Sequence, residues 1–287
     1  MLHWPLGVFT SVDAGLGVSW DVIAKLQLPT LQLHAPRQGS DGQGRSESAA
    51  VQLKDQLDRM KIACTAVFGG FDGESYLDIP TVVKTVGLVP PAPRRVRLSE
   101  MKEISNFARH LGCDTVALHL GFIPEDTDDD DYEAIADVTA ELCNHCDSNS
   151  QFLHLETGQE TAAGLLKFIE RVDRSNLKIN FDPANMILYG TGDPIEALRE
   201  LGQHVRSVHC KDAIWSDQPG KTWGTEVPLG EGQVDISAYL RTLKEIGYDG
   251  PLTIEHEIPQ DAKRQFEEIS AAVDLLKRLR TEVGVDG

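Results

Sequence analysis

Residues 193–211 read DPIEALRELGQHVRSVHCK, and the two halves of this stretch obey different spacing rules. DPIEALRELG carries apolar side chains at helical intervals and ends on Gly202, a residue suited to the left-handed conformation that closes a helix. VRSVHCK, from Val205 to Lys211, is a short β-branched run of strand type. The same punctuation recurs. Gly112 follows a helical segment ending RHL, Gly247 follows one ending KEI, and a strand run comes after each. A helix that delivers the chain straight into a strand is half of a βαβ unit, so the number of such units decides the fold.

Working outward, strand-type runs are LGVFT (Leu6 to Thr10), TLQLH (Thr30 to His34), ACTAVF (Ala63 to Phe68) and DTVALHL (Asp114 to Leu120). They continue with QFLHLE (Gln151 to Glu156), LKINFD (Leu177 to Asp182), VRSVHCK and PLTIEHE (Pro251 to Glu257). Helical segments such as LSEMKEISNFARHLG, YEAIADVTAELCNHC, TAAGLLKFIERV and AKRQFEEISAAVDLLKRLR alternate with them. Eight alternations in 287 residues predict an α/β fold: one (β/α)8 barrel spanning 1–287, with a doubly wound open sheet as the competitor. The dinucleotide fingerprint that would favour the open sheet is missing, because GTGDPI (Gly190 to Ile195) lacks the third glycine. Two connections exceed simple turns: residues 69–97, after the third strand, with prolines at 90, 91 and 93, and residues 213–233, after the seventh, with Trp215 and Trp223. In a barrel both rise from the face where sites form.

Composition narrows the function. With 27 basic and 45 acidic side chains the formal charge is −18, which repels phosphate backbones and argues against nucleic acid as a partner. No apolar run approaches the ~20 residues of a membrane span, and MLHWPLGVFTSVD lacks the pattern of an export signal, so a cytoplasmic, membrane-free protein is expected. The five cysteines are scattered and odd in number, as for reduced thiols. Cys143 and Cys146 form a C-x-x-C without a second pair at zinc-ribbon spacing, so neither a metal nor a redox role is expected of them. EDTDDDDYE (Glu125 to Glu133) has Asp131 where a calcium loop needs glycine, and reads as the acidic start of a helix.

Four polar residues sit at the ends of the last four strand runs: Glu156, Asp182, His209 and Glu255. Singly, each has a mild explanation, a helix cap for the carboxylates or a hydrogen-bonded core position for the histidine. Together, three anions in one barrel mouth repel unless a cation or shared protons neutralise them, and a cation is favoured. Three oxygen donors and one nitrogen suit Mn²⁺, Mg²⁺ or Co²⁺, with Zn²⁺ also admitted.

HLETG, NFDPANM, SVHCKD, PLGEGQVD (228–235), GYDGPLTIE and ALHLGF (117–122) form an ordered set that resembles the xylose-isomerase-like TIM-barrel superfamily, most of all its sugar phosphate isomerase/epimerase group. The resemblance implies one divalent metal ion on Glu156, Asp182, His209 and Glu255. It also implies proton transfer by Glu156 and Glu255 on opposite faces of a carbohydrate, through an enediolate held by the metal. His119 and Lys211 are the substrate contacts expected on this basis, with Asn185 at the position of an absent histidine; from their place in the loop after the seventh strand run, Trp215 and Trp223 are candidates to stack on a sugar face, and Glu231 in the GEG turn is a candidate to orient His209. Asn185 stands where many epimerases and the DNA-repair endonuclease IV branch carry a histidine. Gly224 and Glu226 stand where the repair enzymes carry Asp-x-His, so a three-zinc centre lacks ligands. The expected activity is that of a metal-dependent isomerase or epimerase. Its rivals are a dehydratase of keto-inositol type on the same site and a catalytically silent sugar-binding barrel. Whether the substrate is phosphorylated and whether the chain forms a homo-oligomer stay open.

Overall fold

The computed structural model of the chain describes residues 2–12, 15–37 and 44–285. Met1 and Asp13, which bound the segment read for an export signal, lie outside them. Seven strands alternate with helices: β1 (Leu6–Ser11), β2 (Thr30–His34), β3 (Ala63–Gly69), β4 (Thr115–Leu118), β5 (Phe152–Glu156), β6 (Leu177–Phe181) and β7 (Val205–Cys210). A short hairpin of β8 (Asp212–Ile214) and β9 (Thr225–Val227) intervenes before the last barrel strand, β10 (Leu252–Ile254). Strands β1 to β7 and β10 close into one parallel barrel, with β10 pairing both β7 and β1. Most of these strands are buried along both faces, β1 at every position, which explains why the sequence shows apolar runs instead of strict alternation.

The helices form the outer layer: α1 (Trp20–Leu26), α2 (Glu47–Met60), α3 (Ile79–Thr85), α4 (Arg94–Leu111), α5 (Asp130–Ser148), α6 (Ala162–Val172), α7 (Pro183–Tyr189), α8 (Pro194–Leu201), α9 (Ile236–Glu245) and α10 (Ala262–Glu282). Their inward stripes carry the core. Leu98, Met101, Ile104, Phe107 and Ala108 of α4, for example, are almost wholly buried. The acidic stretch begins α5 as expected, with the Asp129 side chain accepting from the Asp131 N–H at 2.7 Å. Cys143 and Cys146 lie on the buried side of that helix, and burial pushes the Cys146 thiol up to about 12.

Several sequence expectations are corrected. Gly112 and Gly247 do adopt the left-handed conformation, but Gly202 is right-handed at φ −50°. Its glycine answers to space: a Cβ there would lie 2.7 Å from the Ile246 Cγ2 atom, so α8 and the end of α9 meet at this point because no side chain intervenes. The 69–97 connection is not one loop, since it holds α3 and the first turn of α4. Two buried arginines of α4 fasten it. Arg97 donates to the Thr85 and Gly87 carbonyls at 2.7 Å each and covers the Phe71 ring, and Arg94 donates to the Leu88 carbonyl at 2.8 Å. The segment is therefore a fixed wall of the barrel mouth. The 213–233 connection likewise contains the β8–β9 hairpin.

Candidate functional site

Strands β5, β6, β7 and β10 are consecutive around the barrel, and parallel register brings their C-terminal ends to one level. Glu156 ends β5, Asp182 follows β6, His209 lies near the end of β7, and Glu255 follows β10. One ligand atom from each falls within 4.8 Å of the others. His209 Nδ1 is 2.8 Å from Glu156 Oε1, 2.9 Å from Glu255 Oε2 and 3.4 Å from Asp182 Oδ2. His209 and Asp182 are fully buried and Glu156 nearly so.

Two atoms test whether this donor set fits a cation. His209 Nδ1 and Asp182 Oδ2 are buried without a directed hydrogen bond, although carboxylate oxygens crowd the nitrogen. Buried polar atoms normally find a directed partner, so donor atoms that crowd together without one suit an ion between them. Three carboxylates and one imidazole match a divalent metal. With protein groups alone the charges already demand compensation. Burial lowers the His209 pKa, but Glu255 and Glu156 outweigh it and hold the ring well above its usual value. Burial raises the Glu156 carboxyl, yet His119 and His209 bring it down to about 2. Burial lifts Asp182 to about 6 against the pull of His209. The mouth attracts positive charge, and a metal ion would take the place of the proton on Nδ1.

The surroundings hold these groups still. Asp182 caps α7: its Oδ1 accepts from the Ala184 and Asn185 N–H groups at 2.8 and 3.0 Å, which leaves Oδ2 for the cluster. The Thr157 hydroxyl donates to the Asp182 carbonyl at 3.0 Å and accepts from its N–H at 2.8 Å, so the threonine of HLETG fixes the neighbouring ligand. Across the barrel, Gln32 Oε1 lies 2.6 Å from His209 Nε2, and Gln32 Nε2 donates to Asn180 Oδ1 at 3.3 Å. An acceptor at Nε2 keeps that nitrogen protonated and leaves Nδ1 facing the carboxylates. Phe68 stacks on the imidazole with centroids 5.4 Å apart, and Phe9 meets it edge-on at 5.8 Å.

The expected substrate contacts divide. His119, Asn185 and Lys211 line a cavity of about 840 Å³ above the cluster. His119 Nε2 is 2.9 Å from Glu156 Oε2, and Glu156 raises its pKa against the lowering by burial. Asn185 Nδ2 donates to Glu156 Oε1 at 3.4 Å, and Lys211 Nζ donates to Glu255 Oε2 at 3.3 Å. Trp215 is instead packed against the core, and Trp223 lines the cavity beside Tyr189, with centroids 4.6 Å apart. Glu231 is exposed on its loop, and the partner of His209 Nε2 is Gln32.

The GEG turn has a different task. Gly230, Gly232 and Val234 donate their N–H groups to the Asp212 carboxylate at 2.9 to 3.0 Å, as does the N–H of Ala213. A Cβ on Gly232 would lie 2.2 Å from Asp212 Oδ1, so only glycine admits this cage. The cage ties the turn to the residue that follows Lys211. Glu226, on β9, reaches Lys211 Nζ at 3.4 Å and bonds His256. Gln32, Glu74 and Glu257 escaped the sequence reading as site residues, and Glu226 entered it only as the place of an absent zinc ligand. Gln32 lies in the middle of TLQLH, without a strand-end signal.

Among the described residues, no helix is long and apolar enough to cross a membrane. A family model described as a xylose isomerase-like TIM barrel matches residues 20–280. A crystal structure of a xylose isomerase domain protein from Planctomyces limnophilus is 53% identical, with a TM-score of 0.94 over 98% of this chain and 99% of that one. An inosose dehydratase of Clostridium botulinum is 27% identical over 115 residues, 36% of this chain and 38% of that protein. A ketose 3-epimerase of Arthrobacter globiformis is 29% identical over 118 residues, 41% of this chain and 34% of that enzyme. The chain spans between 29% and 64% of the length of the curated relatives it matches.

Proposed function

The chain belongs to the xylose isomerase-like TIM-barrel family, and from that membership together with the geometry at the barrel mouth we propose a divalent-metal-dependent isomerase or epimerase of a polyhydroxylated carbonyl compound. One observation carries the reading: four strand-end donors meet within 4.8 Å, with His209 Nδ1 and Asp182 Oδ2 buried among them without a directed hydrogen bond. Glu156, Asp182, His209 and Glu255 would hold the ion, which when bound polarises a substrate carbonyl and acidifies the adjacent C–H. Mn²⁺, Mg²⁺ and Co²⁺ suit this donor set best, and Zn²⁺ remains compatible.

The chain's own groups supply the rest. Glu156 and Glu255 are the bases that take a proton from carbon and return one to the neighbouring or the same carbon. Their low pKa values keep them ionised at neutral pH. His119 and Lys211, each within hydrogen-bonding reach of one of these glutamates, bind substrate hydroxyl or carbonyl oxygens. Asn185 orients Glu156, and Trp223 with Tyr189 closes one side of the cavity with an aromatic surface on which a sugar ring can lie.

A second reading, dehydration of a keto-polyol, is favoured by one feature. Glu156 raises the His119 pKa against the lowering by burial, so a group that could pass a proton to a departing hydroxyl stands beside a base. Metal analysis of the purified protein followed by NMR of ketoses and inososes in deuterated buffer separates the readings. Isomerisation or epimerisation places solvent deuterium on carbon in an isomeric product, whereas dehydration gives an unsaturated or deoxy product. Glu156→Gln and Glu255→Gln should each lower turnover by at least about 100-fold. Full activity in both variants would end the two-glutamate proposal.

A further inference from the structure

The cavity above the cluster has an unusual charge balance. Among the described residues that line it, eight are carboxylates and three are permanent cations, Arg37, Arg45 and Lys211. A bound divalent ion would leave the wall negative. Lys211 is 5% exposed and already engaged by Glu255 and Glu226, and the equally buried Arg45 lies 3.8 Å from Glu100.

Barrels of this kind commonly seat phosphate on backbone amides, in the loops after the seventh and eighth strands and at the start of a short helix. Among the described residues, three such groups of amides are filled by the chain itself. The turn after β7 gives the N–H groups of Gly230, Gly232 and Val234 to Asp212. After β10, Asp261 accepts from Lys263 and Arg264 at the start of α10, and at the start of α7 Asp182 accepts from Ala184 and Asn185. The connection from β10 to α10 adds Glu257, a further carboxylate on the cavity wall.

We infer that the site is built for a neutral polyhydroxylated carbonyl compound and excludes the phosphate ester or carboxylic acid of the same skeleton. The inference rests on the proposed function and narrows its substrate class. A phosphate entering this cavity would give up water and find carboxylates where it needs donors, with these three amide cradles already occupied.

The test is direct binding, by calorimetry on the metal-loaded full chain, of a panel of ketoses and inososes beside their phosphate esters, at low and high ionic strength. Inorganic phosphate is added as a competitor. At least one neutral compound should bind, its ester at least 10-fold more weakly, and the gap should narrow with salt. Inorganic phosphate should not compete. Glu103→Lys reverses one exposed charge on the cavity wall and should narrow the gap several-fold. An ester that binds as tightly as its parent or more so, indifferent to salt and to Glu103→Lys, overturns the inference while leaving the metal-site reading intact. Metal binding with no affinity for any member of the panel would instead overturn the carbohydrate reading, and this inference with it.

Discussion

Asp182 and Asp212 follow neighbouring barrel strands, are equally buried, and are each surrounded by backbone N–H groups, yet the two regions do different work. Asp212 spends both oxygens on amides, accepting from Ala213, Gly230, Gly232 and Val234. Asp182 spends one, on Ala184 and Asn185, and keeps Oδ2 bare beside His209. Burial and residue type are therefore poor guides to function here. What separates a structural carboxylate from a ligand is the lone pairs left over after the backbone has been satisfied.

Substitution should drive the two aspartates in opposite directions. Asp212→Ala removes a charged acceptor from four amides and frees the turn that positions β9, and should cost about 3 kcal/mol of stability in urea unfolding of the metal-free protein. Metal affinity of the remaining folded fraction should change little. Asp182→Asn keeps an oxygen for the cap but loses an anionic ligand, so metal affinity measured by calorimetry should fall by about 100-fold, or ~2.7 kcal/mol. Its metal-free stability should hold or rise, because one of three crowded carboxylates has become neutral. If Asp212→Ala abolished metal binding in a stably folded protein, or Asp182→Asn unfolded the chain while binding metal normally, the distinction would collapse.

The sequence disclosed the four residues proposed as ligands because they stand at strand ends, where an acidic or imidazole group interrupts an apolar run. Glu156, Asp182, His209 and Glu255 all carry that signal, and the structure brings them together. The barrel was legible for the same reason, from repeated helix, stop and strand. The wrong assignments share a physical origin. Glu231 and Trp215 were inferred from position along a loop, and a hairpin such as β8–β9 reverses direction, so loop sequence does not say which side chain meets the cavity. Trp223, eight residues on, is the one that does. The GEG turn was read through Glu231, but its glycines serve the Asp212 cage, a contact with no local signature. Gln32 was invisible because its partner lies 177 residues away across the barrel.

That distant glutamine gives the smallest and sharpest of the expected effects. Gln32 Oε1 is the acceptor that keeps the His209 proton on Nε2, so the residue acts on the metal only through the histidine. Gln32→Leu, close in volume and without an acceptor, should lower metal affinity by about 10-fold, at the weaker end of the range for groups that support a ligand. Once the metal-free ring is titrated to its neutral form, it should also let the one remaining His209 proton distribute between the two nitrogens, visible in ¹⁵N NMR of the imidazole. Gln32→Glu restores an acceptor and should recover both the tautomer and the affinity. A purely structural role would move stability in both variants without this split. The alternative support is aromatic: Phe68 stacks on the ring and Phe9 meets its edge, and neither distinguishes one nitrogen from the other. If Gln32→Leu bound metal as tightly as the parent chain with an unchanged tautomer, the aromatic pair alone would suffice to aim Nδ1, and Gln32 would stand with Asp212 as architecture.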